Sequence, residues 1–279
     1  MKGLICSIFV FCGLAGAQEE AKLLKLGTTA EIERADLYLW KPGRNVVAVM
    51  IFCPGHNGSG EGFVNDPEWQ KFARTNNLAL CGLSFASQMV LTEQGFGYSH
   101  VDRESGKILL DAIDKEFARK QLPLLFYGYS AGARFSTSFL AWKPERVLTW
   151  CASGVGNWPA LPAGAKTAPG IVACGEFDAG CYWSSLHYFQ CGRENNYPWI
   201  WISLEGLGHE QSPVLDRFVA EYFALKLKGG ASGSSGADEL LDITTKHRIK
   251  TSNSNDRIFS ASLPSSELLV EHWTRIHTP

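Results

Sequence analysis

Apolar residues in this chain come in short blocks that alternate with segments of helical spacing, from about residue 36 to residue 227. Asp36–Trp40 reads as an early strand, closed by the turn Lys41–Asn45. Val46–Cys53 and Leu78–Phe85 are almost wholly apolar, the pattern of strands covered on both faces. Between them, the glycine-rich loop Pro54–Gly60 precedes a helical spacing over Glu68–Asn76. Residues 86–106 show no period, and a helix is expected over Lys107–Arg119 with Leu109, Leu110, Ile113 and Phe117 on one side. The next apolar run, from Leu122, breaks into Gly128-Tyr-Ser-Ala-Gly132 and resumes as a helix that ends near Trp142, because Lys143-Pro144 disfavours continuation. Val147–Ala152, Gly170–Cys174 and Trp199–Leu204 read as further strands, and a last helix is expected from Pro213 to Leu227. The alternation implies an α/β domain, a mostly parallel central sheet with helices on both faces.

The two ends read differently. Residues 1–17 carry one early charge, Lys2, then an apolar stretch from Leu4 to Leu14 and the small residues Ala15-Gly16-Ala17, the layout of a secretory signal peptide. The mature chain is therefore expected to be secreted or periplasmic, with its α/β domain over 18–228. Residues 229–236 are a Gly/Ser-rich linker by composition, and 237–279 form a C-terminal extension too short for a robust core of its own. That extension is expected to pack on the main domain, with Ser265 capping a short helix that buries Leu268, Leu269 and Trp273; a tail that contacts a partner is the alternative.

A formal net charge of -2 excludes nucleic acid and anionic lipid as expected partners, since neither a basic surface nor a polybasic tract is present. Of the 8 cysteines, Cys6 and Cys12 leave with the signal, and Cys53, Cys81, Cys151 and Cys174 lie in strand-like runs as small hydrophobes. Cys181 and Cys191 flank a polar and aromatic segment in an oxidising compartment and are a candidate disulfide, the alternative being two free thiols. No metal-spaced Cys/His cluster is visible, and neither a metal nor a cofactor is implied.

Candidate chemistry centres on the break at Gly128–Gly132. A strand, a sharp turn and a helix would project the Ser130 hydroxyl above the end of a sheet, with both glycines letting strand and helix approach. A serine hydroxyl is a poor nucleophile near neutral pH and needs a base and a group that orients that base.

Over roughly residues 36–227 the sequence resembles the α/β-hydrolase superfamily of serine hydrolases, nearer its dienelactone-hydrolase, feruloyl-esterase and depolymerase-like branches than its lipases. The resemblance rests on the elbow at Ser130, the G-x-x-D turn Gly175–Asp178 and the histidine turn Gly206–His209, in that chain order. It implies Ser130 as nucleophile, His209 as general base and then acid, and Asp178 as the orienting carboxylate, with Glu176 its rival. The oxyanion donors it implies are the backbone N–H of Ala131 and one from the loop Pro54–Gly58, His56 or else Asn57; Pro54 departs from the family, which often has histidine there. Trp158, Tyr182 and Trp183 flank the acid turn and are candidates for a substrate-binding wall, apolar or sugar-stacking. The expected activity is cleavage of a carboxylic ester, small or polymeric, through an acyl-enzyme. A prolyl-oligopeptidase-type peptidase and a non-catalytic binding protein on the same fold are the rivals.

Overall fold

The computed structural model describes residues 20–43, 45–118, 121–160, 167–229, 238–249 and 254–276. The expected signal peptide, and all of the expected linker but Gly229, lie outside the described residues.

Eight strands form one sheet: β1 (Lys22–Lys25), β2 (Arg34–Trp40), β3 (Ala48–Cys53), β4 (Leu78–Ala86), β5 (Leu124–Tyr129), β6 (Val147–Ser153), β7 (Gly170–Gly175) and β8 (Trp199–Leu204). Their order across the sheet is β1-β2-β4-β3-β5-β6-β7-β8. β2 runs antiparallel to both its neighbours, and every pairing from β4–β3 to β7–β8 is parallel. The wholly apolar blocks are the inner strands: every residue of β3 and β4 is buried. Alternation divides them between two cores, Val49 and Ile51 facing one and Met50 and Phe52 the other.

Helices α1 (Glu61–Asn65), α2 (Pro67–Asn76), α3 (Met89–Glu93), α4 (Ser105–Phe117), α5 (Ala131–Trp142), α6 (Tyr182–Glu194) and α7 (Pro213–Gly229) lie in the connections. One core receives Leu109 and Ile113 of α4, Phe135 and Phe139 of α5, and Phe189 of α6. The other receives Trp69 and Ala73 of α2 and Phe218 and Tyr222 of α7. The helix α6 replaces a segment whose sequence showed only mixed polar and aromatic residues. Its buried face includes Ser185, Gly192 and Arg193 beside Tyr188 and Phe189, so no apolar stripe announces it.

Beyond α7, the strands β9 (Glu239–Asp242) and β10 (Ser260–Leu263) pair antiparallel, and the helices are α8 (Ser254–Arg257) and α9 (Glu267–Arg275). This segment lies on the main sheet: the buried Trp273 donates from Nε1 to the Trp201 carbonyl at 2.9 Å, and the Arg193 guanidinium donates to the Ser260 carbonyl at 2.6 Å. The cap of α9 is Ser266, whose hydroxyl accepts from the Leu269 N–H, and not Ser265, which donates to Glu239 Oε1 at 3.0 Å. The helix thus starts one residue later than expected, and Leu268 faces solvent while Leu269 and Trp273 are buried. Among the described residues no helix is long and apolar enough to cross a membrane.

Candidate active site

Three strand ends bring Ser130, Asp178 and His209 together at one rim of the sheet. Ser130 sits between β5 and α5 with φ 55° and ψ -123°, a conformation that costs a non-glycine residue about 1–3 kcal/mol. Its N–H is held by the Ser153 carbonyl at 2.9 Å, which ties the turn to β6. The flanking glycines make the bend possible. A Cβ on Gly132 would lie 1.9 Å from the Cys53 carbonyl oxygen, and one on Gly128 would lie 2.4 Å from the Gly132 oxygen. No side chain fits between α5 and the end of β3 there.

Asp178 closes a turn after β7: its N–H donates to the Gly175 carbonyl at 3.1 Å, and its own carbonyl accepts from the N–H groups of Cys181 and Tyr182 as α6 begins. The loop after β8 carries His209 and is stitched to this turn by Phe177 N–H to the Leu207 carbonyl at 2.8 Å and Glu176 N–H to the Leu204 carbonyl at 3.0 Å. A Cβ on Gly175 would meet the Gly208 oxygen at 2.1 Å, so the two loops touch through backbone.

The side chains then align. His209 Nε2 lies 3.0 Å from Ser130 Oγ, and Nδ1 lies 2.6 Å from Asp178 Oδ2. An ionised carboxylate only accepts, which puts the imidazole proton on Nδ1 and leaves Nε2 free to accept from the serine hydroxyl. Asp178 is 6% exposed and His209 43% exposed, so the acid is dry and the base is open to solvent. Glu176, the rival carboxylate, instead accepts from the Gly206 N–H at 3.4 Å and braces the histidine loop.

The loop Pro54–Gly58 lies beside the nucleophile, since a Cβ on Gly55 would be 3.7 Å from Ser130 Cβ. Asn57 is committed to structure: its N–H donates to Tyr98 Oη, and its amide exchanges hydrogen bonds with the Ser87 backbone. The N–H groups of His56 and Ala131 donate to no acceptor among the described residues. The ring of Tyr129 lies 5.1 Å from that of His209, and burial, followed by the charge of Asp178, pushes its phenol up to about 12. Its only sequence signal is a position inside the elbow motif.

Tyr182 and Trp183 pack edge-on with ring centroids 5.4 Å apart, whereas Trp158 lines a cavity that neither of them reaches. Tyr182 packs edge-on against Trp201 and its hydroxyl meets Ser203 Oγ at 3.2 Å, while Trp183 in the same turn is 73% exposed, as is Phe177 at 70%. Trp158 stacks on Tyr188, with ring centroids 4.3 Å apart, and lines a cavity of about 470 Å³ together with Gly156, His187, Cys191 and Trp199.

The expected disulfide is not formed: Cys181 and Cys191 are free thiols. Cys181 caps α6 and Cys191 lies near its other end, about 15 Å away along the axis, well beyond the ~7 Å Cα limit for a bridge. Each sulfur faces a histidine instead, Cys181 lying 3.8 Å from His209 Nδ1 and Cys191 3.6 Å from His187 Nε2. The donor atoms of Asp178, Cys181 and His209 all lie within 4.8 Å of one another, and this is the one His/Cys/carboxylate group among the described residues with metal-ligand spacing.

No family model matches this sequence, and no curated protein does. Solved structures do. A carboxylesterase from Mesorhizobium loti is 14% identical, with 74% of this chain and 99% of that chain covered and a TM-score of 0.54. A carboxylesterase from Bacillus cereus is 15% identical, over 69% of this chain and 94% of that one, with a TM-score of 0.53. Dipeptidyl peptidase 4 from Porphyromonas gingivalis matches 75% of this chain at 10% identity and a TM-score of 0.53, but only 35% of its own length is covered. The chain has the α/β-hydrolase fold, which esterases and a peptidase share, so the choice of reaction rests on the site.

Proposed function

We propose that the protein is a secreted serine hydrolase that cleaves carboxylic esters through an acyl-enzyme, with Ser130, His209 and Asp178 as its triad. The observation that carries this reading is the relay from Ser130 Oγ to His209 Nε2 at 3.0 Å and from Nδ1 to Asp178 Oδ2 at 2.6 Å. The hydroxyl attacks the ester carbonyl as Nε2 takes its proton, and the imidazolium is stabilised by the buried carboxylate. Charge developing on the carbonyl oxygen is met by the N–H groups of Ala131, at the first position of α5, and of His56. The imidazolium then protonates the leaving alkoxide, and a water, activated by the same nitrogen, releases the acid and restores Ser130.

The solved carboxylesterases of the same fold agree with an ester substrate. Export rests on the pattern of residues 1–17.

Purified mature protein is expected to turn over p-nitrophenyl acetate and to be labelled by a fluorophosphonate at Ser130, with both lost in Ser130→Ala. Labelling with peptide cleavage but no ester turnover would favour the peptidase, and no labelling would favour a binding protein. N-terminal sequencing of the exported chain should begin at Gln18.

A further inference from the structure

We propose that Asp178, Cys181 and His209 form an inhibitory site for a thiophilic divalent cation of the zinc class, whose binding disables the imidazole as a base. The inhibition rests on the serine-hydrolase reading above; the cation site does not. One thiol, one imidazole and one carboxylate are the donor types that zinc selects, and a hard cation such as magnesium or calcium would not choose this set.

The spacing suits such an ion. Zinc bonds of about 2.3 Å to sulfur and about 2.0 Å to nitrogen and oxygen, in tetrahedral array, separate donor atoms by roughly 3.3–3.6 Å. Here Sγ to Nδ1 is 3.8 Å and Nδ1 to Oδ2 is 2.6 Å. The imidazole would withdraw from the carboxylate by less than about 1 Å and the thiolate would close by a few tenths, movements open to a half-exposed ring and a residue at a helix end. The fourth position would fall to water, as in sites that stay open on one side. Cys174 Sγ, 3.8 Å from Asp178 Oδ2, contacts the carboxylate from within the core and limits how far it can turn.

The consequence follows from where the protons go. Binding releases the Cys181 Sγ proton to solvent and leaves the thiolate on the metal. A neutral imidazole bound through Nδ1 keeps its single proton on Nε2, so the nitrogen facing Ser130 Oγ donates where it formerly accepted. The hydroxyl loses its base although no residue of the triad has been altered. Cys181 meets the ring at Nδ1, the edge away from Ser130, and its thiol also hydrogen-bonds the Asp178 carboxylate. Cys181→Ser keeps a hydroxyl donor for that carboxylate and a good cap for α6, and each protein's Zn2+ titration is read against its own metal-free turnover.

The test is a Zn2+ titration of ester turnover in parent and Cys181→Ser protein, beside Co2+ absorption spectra of both, with Cys181→Ala as a second variant should the first not fold. Zn2+ should lower the parent's turnover at least about tenfold, reversibly with a chelator. Since losing a mere supporting contact costs a metal site ~10–100-fold, the variant should need at least about tenfold more Zn2+ for half-inhibition. Co2+ should give a thiolate charge-transfer band in the parent that is missing in the variant. Equal Zn2+ sensitivity in the two proteins, or no difference in their Co2+ spectra, overturns the proposal. If the parent turns over no ester yet shows the Cys181-dependent band, the hydrolase reading falls and the cation site stands.

Discussion

Ser130 holds a left-handed backbone that a serine in an ordinary turn would not keep, and the surroundings over-determine it through Gly128, Gly132 and the bond to Ser153. The value of the strain lies in where it aims the hydroxyl. In the proposed triad Asp178 holds the Nδ1 proton, which a neutral isostere cannot do. Asp178→Asn is expected to lower kcat by about 10⁴, because an amide can present its N–H to Nδ1 and turn the imidazole to the wrong tautomer. Glu176→Gln should change kcat by less than about threefold, since among the described residues its carboxylate accepts only from the Gly206 N–H; steady-state kinetics on one aryl ester would separate the two acids. At this scale the meeting of three side chains was legible where motif and chain order coincide, since Ser130, His209 and Asp178 lie at hydrogen-bond distance. The sequence was silent on Tyr129, whose place against the His209 ring depends on which loop it ends up beside. At Cys181 and Cys191 it left a disulfide and two free thiols both open, and the thiols are found because a helix holds its ends apart.

Among the elements, the inner strands could be read from sequence because burial on both faces demands unbroken apolar blocks. β1 could not: Lys22–Lys25 is a largely exposed edge strand, and its lysines erase the alternation. α5 and α7 are held differently. α5 is fixed by contact without space, so Gly132→Ala should prevent the elbow from closing and yield unfolded or inactive protein, read by far-UV circular dichroism and fluorophosphonate labelling. α7 is anchored by Tyr127 Oη donating to Asp216 Oδ1 at 2.5 Å, in a place where burial raises the Asp216 carboxyl above its ordinary value although the phenol's hydrogen bond pulls it down. The folded state then binds this proton more tightly than the unfolded chain does. Its contribution to stability falls as pH rises from about 4, the unfolded value, through the raised folded value. Asp216→Asn keeps an acceptor for the tyrosine and removes the titration. The stability difference between variant and parent, measured by urea unfolding, should therefore move in the variant's favour as pH rises across that window.

The whole molecule is two cores on either side of one sheet, and its last strand, β8, would be an open edge without the C-terminal segment. Two contacts cover it: β10 lies against β8, and the fully buried Trp273 ring sets its Nε1 on the Trp201 carbonyl; the buried Arg193 of α6 holds β10 in place through the Ser260 carbonyl. The short helix with Trp273 on its buried side is legible in the sequence, whereas β9 and β10 are not, being only four residues each with scattered apolar positions. An uncovered edge strand is a template for pairing with another chain. Trp273→Ala deletes a large buried ring and should cost about 3–5 kcal/mol in urea unfolding. It should leave kcat/KM for an aryl ester within about twofold at low temperature, because the change lies at the sheet edge and touches none of the three strand-end loops. A chain ended at Gly229 should lose more than stability. With β8 bare it should associate at micromolar concentration in size-exclusion chromatography, whereas a monomeric, active truncated chain would mean that the extension serves a partner and not the edge.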